Sequence, residues 1–412
     1  MRIVVIGQGG REHALAWRLS QEGHEIIAMP GNPGMEELGR CVKVSVSDTE
    51  GLVSACLTEK PDLVVVGPEA PLAAGIVDRL RAVRIPVFGP SQRAAQIEAS
   101  KAYSKELMQR FGVPTARYLT VTSAAEIENA LKELGGAVAV KADGLAAGKG
   151  VIVCGTVDEA RAAAKTLIER GPVVIEERLD GPELSVIAIT DGKHAAILPP
   201  ARDHKRLLDR DQGPNTGGMG AIAPVPVSDE LMEQIRREVI HRTLDAMAAD
   251  GTPFTGALFA GLMLTKSGPK TLEFNARFGD PETQAIVTSL SKGVSLAQLL
   301  LQATTGDVPD TILPTDGAAC GIVLAAQNYP DTPRAGDAIE GLTKAKDRGA
   351  LVFHAGTKRD GEKIVTNGGR VLAVMGRADS LSAAREKALE TVREVRFEGM
   401  QYRSDIGATT TG

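Results

Sequence analysis

Near residue 270 the chain reads Leu272-Glu273-Phe274-Asn275-Ala276-Arg277. In a strand, the period of two sends Glu273, Asn275 and Arg277 to one face and Leu272 and Phe274 to the other. A carboxylate and an amide oxygen two residues apart suit a hard cation such as magnesium, which takes oxygen ligands and bridges phosphates. Arg277 then stands where a guanidinium could clamp a carboxylate or a transferring phosphoryl group. The turn that follows, Phe278-Gly279-Asp280-Pro281-Glu282-Thr283-Gln284, runs into a helix. Its Asp280 and Glu282 have the positions of an N-cap and a first-turn acid. Arg277 and Asp280 are assigned to chemistry, and Glu282 stays open between helix capping and substrate contact.

Lys141 ends the apolar run 138–140 and is followed by Ala142-Asp143-Gly144-Leu145-Ala146-Ala147-Gly148-Lys149-Gly150-Val151. The segment differs from a P-loop: the glycine spacing is one residue short, Gly150 replaces the magnesium-binding hydroxyl, and a strand follows in place of a helix. It reads as a hairpin loop covering phosphates, with glycines admitting backbone amides and Lys141 supplying charge. Lys101, alone, is an ordinary helix lysine. After the strand 173–176 come Glu176, Glu177, Leu179 and Glu183, where acids could accept an adenine amino group or ribose hydroxyls, or could form a solvated turn.

At the N-terminus, Gly7-Gln8-Gly9-Gly10-Arg11-Glu12-His13 lies between a strand and a helix, where amides and the helix dipole can hold an anion. A dinucleotide fingerprint would want glycine at position 12 and an acid ending the second strand, and neither is present. A phosphate on a small substrate fits better, with Arg11 and Pro30-Gly31-Asn32-Pro33-Gly34 completing the pocket. The alternative is that the glycines only make tight turns. His13 is read either as part of that pocket or as a satisfied polar residue under the sheet.

Elements must bring these pieces together. Runs at 3–6, 63–66 and 86–88 alternate with helical stretches at 12–21 and 72–83, the rhythm of a parallel sheet whose ligands bind at the carboxyl edge. A helix over 101–112 leads to Pro114, and a strand-helix-strand-strand-helix-strand-strand unit reaches about 190, small enough for a lid. Residues 199–224 form a long Gly- and Pro-rich loop of the kind that is usually functional. A helix over 229–249 and strands at 257–265 and 270–275 follow. The last segment holds strands at 320–326 and 371–375 and a helix over 382–395.

The chain has 412 residues, enough for two to four domains. With 43% hydrophobic and 24% charged residues and a net charge of −5, it has an ordinary globular composition and no basic excess for nucleic acid. Cys41, Cys56, Cys154 and Cys320 lack metal or redox spacing and read as small hydrophobes in a reducing compartment. No apolar run approaches a membrane span and no signal segment leads the chain, so a cytoplasmic location is expected.

Together these motifs resemble the phosphoribosylamine-glycine ligase family, also called glycinamide ribonucleotide synthetase, of the ATP-grasp superfamily. The resemblance runs through Gly9-Gly10-Arg11-Glu12-His13-Ala14-Leu15, Gly67-Pro68-Glu69-Ala70-Pro71-Leu72, residues 141–151, Asp203-His204-Lys205-Arg206, Gly213-Pro214-Asn215-Thr216-Gly217-Gly218-Met219-Gly220-Ala221 and residues 277–284. It implies an α/β chain with an ATP-grasp fold and an α+β lid. The implied domains are an N-terminal parallel-sheet domain at 1–100, the ATP-grasp domain at 101–310 with its lid at about 115–190, and a small C-terminal α/β domain at 317–412.

The resemblance also implies the reaction. Glycine and ATP give glycyl phosphate and ADP, and 5-phosphoribosylamine displaces phosphate to give glycinamide ribonucleotide, early in purine synthesis. Lys101 and Lys141 correspond to ATP phosphate contacts, and Glu176, Glu177, Leu179 and Glu183 to adenine and ribose contacts. Glu273 and Asn275 correspond to ligands of Mg2+ or Mn2+. Gly9, Gly10, Arg11, Glu12, Pro30, Gly31, Asn32, Glu69, Lys205, Arg206, Asn215, Gly217 and Gly218 are implied at the substrates, and Arg277, Asp280 and Asp203 in catalysis. Two departures stand out: residues 255–265 carry no second metal-binding acid, which leaves the metal count open, and Phe259 stands where tyrosine is usual. The partners are the small substrates, with no nucleic acid and no membrane. A monomer is expected, with an oligomer left open.

Overall fold

The structure is a computed structural model and describes residues 1–135, 137–145 and 150–408. Its first sheet is wholly parallel, in the order Gly39–Cys41, Glu25–Pro30, Arg2–Gly7, Leu63–Val66, Val87–Phe88. Covered on both faces, its strands read as unbroken apolar runs, with residues 3–6 and 63–66 all buried. Gly7 pairs with Pro30 and Ile6 with Val66, so three carboxyl ends reach the same edge. The helix expected over 72–83 is two pieces, Glu69–Ala73 and Ile76–Ala82, parted at Gly75 with φ +82°.

The seven elements expected for the lid occur in order, but the last strand belongs elsewhere. Tyr118–Val121, Val173–Glu177, Val138–Ala142 and Val151–Cys154 make one antiparallel sheet, backed by helices Ala124–Leu134 and Val157–Ile168 around a separate core. Glu183–Thr190 instead pairs with Gly256–Thr265 in a second sheet that carries Gly268–Asn275 at its edge. The hairpin between those last two strands has a bulge: Gly261 faces Glu273 and Leu262 faces Thr271, leaving Leu272 unmatched.

A third sheet joins Arg202–Asp203 and Gly220–Ala223 to Ala318–Ala325, Arg370–Ala378 and Leu351–His354. Residues 199–224 are therefore not one irregular loop, since they hold two strands of this sheet and the hairpin Arg206–Leu208 with Gln212–Asn215. Gly220–Ala223 pairs along its length with residues 319–322 and Arg202–Asp203 adds to its other side, a pairing that local composition does not announce. The four cysteines are free thiols, three of them buried, and burial pushes Cys56 up to about 12. No helix among the described residues is long and apolar enough to cross a membrane.

Candidate active site

The alternation expected of this strand holds from Glu273 onward: Glu273, Asn275 and Arg277 are partly exposed while Phe274, Ala276 and Phe278 are buried. It fails at Leu272, which the bulge removes from the opposite face. The Leu272 carbonyl accepts from Lys141 Nζ at 3.0 Å. Burial would raise the Glu273 carboxyl, yet Lys205, Lys141, Lys101 and Arg277 outweigh it and hold it below the usual range. An ionised carboxylate beside an amide oxygen is a donor set that fits a hard divalent cation. The facing strand Gly256–Thr265 offers no acid, and Phe259 stands opposite Asn275.

Arg277 lies between two carboxylates, with Nε 3.3 Å from Glu69 and Nη2 3.0 Å from Glu98. Glu98 Oε2 also accepts from Ala276 N at 2.8 Å, fixing the strand end. Burial would lower Arg277, but Glu98 and Glu69 keep it raised above the ordinary arginine range. Asp280 is not an N-cap, a position taken by Pro281. Its carboxylate instead accepts from Gln284 Nε2 at 2.8 Å and pairs with Arg370 at 3.1 Å. Against burial, Arg370 and Arg11 hold Asp280 below its usual range.

At the N-terminal turn the anion position is filled from within. Glu12, 2% exposed, accepts from Gly9 N at 2.7 Å and pairs with Arg11. A Cβ on Gly7 would stand 2.3 Å from Glu12 Cγ and one on Gly67 2.2 Å from Glu12 Oε1, so these glycines make room for this side chain. Arg11 also donates to Phe278 O at 3.1 Å and stands 4.0 Å from Glu69, tying the turn to the Arg277 loop. Gly10 lets Gln284 approach, since a Cβ there would meet Nε2 at 2.8 Å.

Asn32 is a brace. Its Nδ2 donates to Gln8 O and His354 O, both at 2.8 Å, and its Oδ1 accepts from Gly34 N and Met35 N. Pro30 and Gly31 shape the same turn, with Gly31 N donating to Gly7 O at 3.1 Å. His13 proves to be the satisfied core residue of the two readings: buried, it accepts at Nδ1 from His354 N at 2.8 Å and meets Phe353 edge-on.

From the 202–220 segment, Asp203 is partly exposed but its Oδ1 is sealed without a donor. Burial first, then Glu282, pushes the Asp203 carboxyl up, and burial likewise raises Glu282, whose Oε1 accepts from Ser185 at 3.1 Å. Lys205 pairs with Glu183 at 2.9 Å. Burial would lower Lys205, yet Glu183, Glu273 and Asp203 raise it. Gly218, at φ +109°, sits where a Cβ would stand 2.5 Å from Pro281 Cδ and 2.6 Å from Asp203 Oδ1. Gly217 N donates to Tyr329 Oη at 2.9 Å, while Arg370 grips Gly217 O and Asp280 O. Arg206 and Asn215 face each other across an exposed hairpin, at the rim.

On the lid side, Lys101 Nζ donates to Gly144 O at 2.9 Å. Ala146, Ala147, Gly148 and Lys149 of the expected phosphate-covering loop lie outside the described residues. Glu176 pairs with both Lys141 and Lys105, Glu177 with Arg117 at 2.9 Å, and Leu179 is half-buried. Lys105, Glu98, Tyr329 and Arg370 escape sequence reasoning. Each is a single polar residue in an unremarkable element, and only an unpaired charge within an apolar surrounding, as at Arg370 leading residues 371–375, offered a signal.

Lys101, Lys141, Lys205 and Arg277 thus surround Glu273, while Arg11, Arg277 and Arg370 tie that strand end and Asp280 to the glycine turn. The chain matches the family described as phosphoribosylglycinamide synthetase in its three parts: the N domain at residues 1–98, the ATP-grasp (A) domain at 99–283 and the C domain at 319–409. A phosphoribosylamine-glycine ligase of Streptomyces coelicolor is 46% identical over all of both chains. The human trifunctional purine biosynthetic protein adenosine-3 is 45% identical across 98% of this chain and 42% of its own length. The crystal structure of phosphoribosylamine-glycine ligase from Thermotoga maritima, 36% identical, superposes with a TM-score of 0.87 over 98% of this chain and 100% of that one. A biotin carboxylase from Campylobacter jejuni, 15% identical, shares the fold over 98% of this chain and 94% of that one, with a TM-score of 0.74. By sequence along its whole length and by fold, this chain belongs to the phosphoribosylglycinamide synthetase family.

Proposed function

We propose that the chain is an ATP-dependent phosphoribosylamine-glycine ligase of purine biosynthesis, acting in the cytoplasm. The observation that carries the reading is the cluster of Lys101, Lys141, Lys205 and Arg277 around the ionised Glu273, in a chain related to such ligases from end to end.

A carboxylate is a poor acyl donor until one oxygen is phosphorylated. In the proposed first step a glycine carboxylate oxygen bonds to the γ-phosphorus of ATP and the bond to ADP breaks. The amine of 5-phosphoribosylamine then attacks the acyl carbon, phosphate leaves, and the amine gives up a proton. Neither step asks for a side-chain nucleophile, because phosphoryl transfer needs positioning and charge neutralisation. Lys101 and Lys141 supply positive charge to the nucleotide phosphates, and Glu177, Leu179 and Glu183 line its adenosine end. Arg277 orients the glycine carboxylate. Asp203 and Glu282, two crowded carboxyls with one oxygen lacking a donor, suit its ammonium group. Glu69, Asp280 and the turn at Gly9, Gly10 and Arg11 face the phosphoribosylamine, with Glu12 and Asn32 keeping that turn in shape. Lys205, Arg206, Asn215, Gly217 and Gly218 form the wall that excludes water from the acyl phosphate.

Glu273 and Asn275 would hold Mg2+ or Mn2+. Bound there, the cation would neutralise phosphate charge.

The test is ADP release with magnesium and a panel of acids and amines. Glycine with phosphoribosylamine is expected to release ADP well above the rate with ATP alone. An equal rate, with folded protein, sinks the assignment.

A further inference from the structure

Lys105 belongs to no motif of the proposed reaction, yet it is 2% exposed on the inner face of the helix Lys101–Phe111. Its Nζ donates to Thr115 Oγ1 at 2.7 Å and pairs with Glu176 Oε2. Glu176, 1% exposed on the lid strand Val173–Glu177, pairs through Oε1 with Lys141. One carboxylate therefore stands between two ammonium groups, one on the helix before the lid and one within it. Glu273 adds a second negative charge near both lysines, so two carboxylates offset the two ammonium groups in a nearly dry place. Burial pulls Lys105 down to about 8, with Glu176 opposing it.

The two lysines differ in what else holds them. Lys105 is anchored by Thr115, whose hydroxyl donates in turn to Thr271 O at 2.7 Å. Among the described residues Lys141 has, besides Glu176, the Leu272 carbonyl at the bulge, and it stands nearer than Lys105 to the loop expected over the nucleotide phosphates.

We infer that Lys105 is a positioning residue for purine recognition: it fixes Glu176 through Oε2, so that Oε1, once Lys141 turns to the phosphates, accepts the 6-amino group of adenine. The inference rests on the ATP-dependent reading above. An ionised carboxylate accepts from the 6-amino group and repels the 6-oxo oxygen of hypoxanthine. Without Lys105, departure of Lys141 leaves Glu176 with neither ammonium partner, and its carboxylate is no longer held in one orientation. A carboxylate free to rotate can turn Oε1 away from a 6-oxo group as readily as toward a 6-amino group, so discrimination between the two purines falls.

The experiment compares kcat/KM for ATP and ITP, at saturating glycine and phosphoribosylamine with magnesium, in the wild type, Lys105→Met, Lys105→Arg and Glu176→Gln. Lys105→Met is expected to lower the ATP:ITP preference by about tenfold, through the KM for nucleotide and with the KM for glycine unchanged. Glu176→Gln is expected to relax the preference similarly, and Lys105→Arg to keep it. An unchanged ATP:ITP ratio in Lys105→Met overturns the inference, even if both rates fall. Should Lys105→Met not fold, an unchanged ratio in Glu176→Gln overturns it instead. A wild type inactive with glycine and phosphoribosylamine would sink the ligase reading, a separate outcome.

Discussion

At the scale of single residues, the cleft separates groups that hold the fold from groups held ready by it. Glu273 is kept ionised by four surrounding cations and sits in a partly open position, so its removal should affect chemistry more than folding. Glu273→Ala is expected to abolish turnover while changing unfolding free energy by less than about 1 kcal/mol, measured by ADP release and urea melts. Asp203 differs, because burial and Glu282 raise its carboxyl, with Lys205 and Arg370 opposing. The folded state then binds the proton more tightly than the unfolded chain. The corresponding stability is complete below the ordinary aspartate range and is lost as pH rises through the raised value. Asp203→Asn should remove that loss, flattening the dependence by up to about 1.4 kcal/mol per pH unit in that window. Urea melts at a series of pH values check it, and an unchanged slope would assign the proton elsewhere.

Elements decide whether these residues meet. Gly218 is a tight point, because its backbone is left-handed and an added Cβ would stand 2.5 Å from Pro281 Cδ and 2.6 Å from Asp203 Oδ1. Gly218→Ala should cost at least about 2 kcal/mol and most of the activity, read by thermal melts and ADP release. The strand from Glu273 was legible in sequence because half-buried strands alternate, and the glycine turn because only a strand-to-helix corner needs such spacing. The bulge at Leu272 was not, since an extra residue is defined only against the partner strand. Nor was the internal anion at Glu12, which reads as a substrate contact until three neighbouring glycines are seen to enclose it. Lys105 escaped for a third reason. Lysines on helices are usually solvated, and nothing local says that Glu176 lies opposite.

For the molecule as a whole, the N-terminal turn and the C-terminal sheet are one mechanical unit. His13, Asn32 and His354 bond across them, and burial lowers His13 to about 3 and His354 to about 4 from an ordinary 6.5. Both rings are therefore neutral in the fold. The stability that depends on this is present above pH 6.5 and is lost as pH falls through the two depressed values. His13→Gln, whose amide oxygen can still accept from His354 N, should make the acid limb shallower by up to about 1.4 kcal/mol per pH unit between pH 6 and 4. An equally steep limb in that variant would show that other groups drive acid unfolding.

The third sheet carries one more consequence. Gly220–Ala223 lies beside Ala318–Ala325, and Arg370, from the next strand, fastens Gly217 and Asp280. During synthesis on the ribosome, Gly217 and Asp280 cannot be fastened together until the strand beginning at Arg370 has emerged. An unfinished chain with the Glu273 strand already translated therefore still lacks the arginine that fastens Gly217 to Asp280.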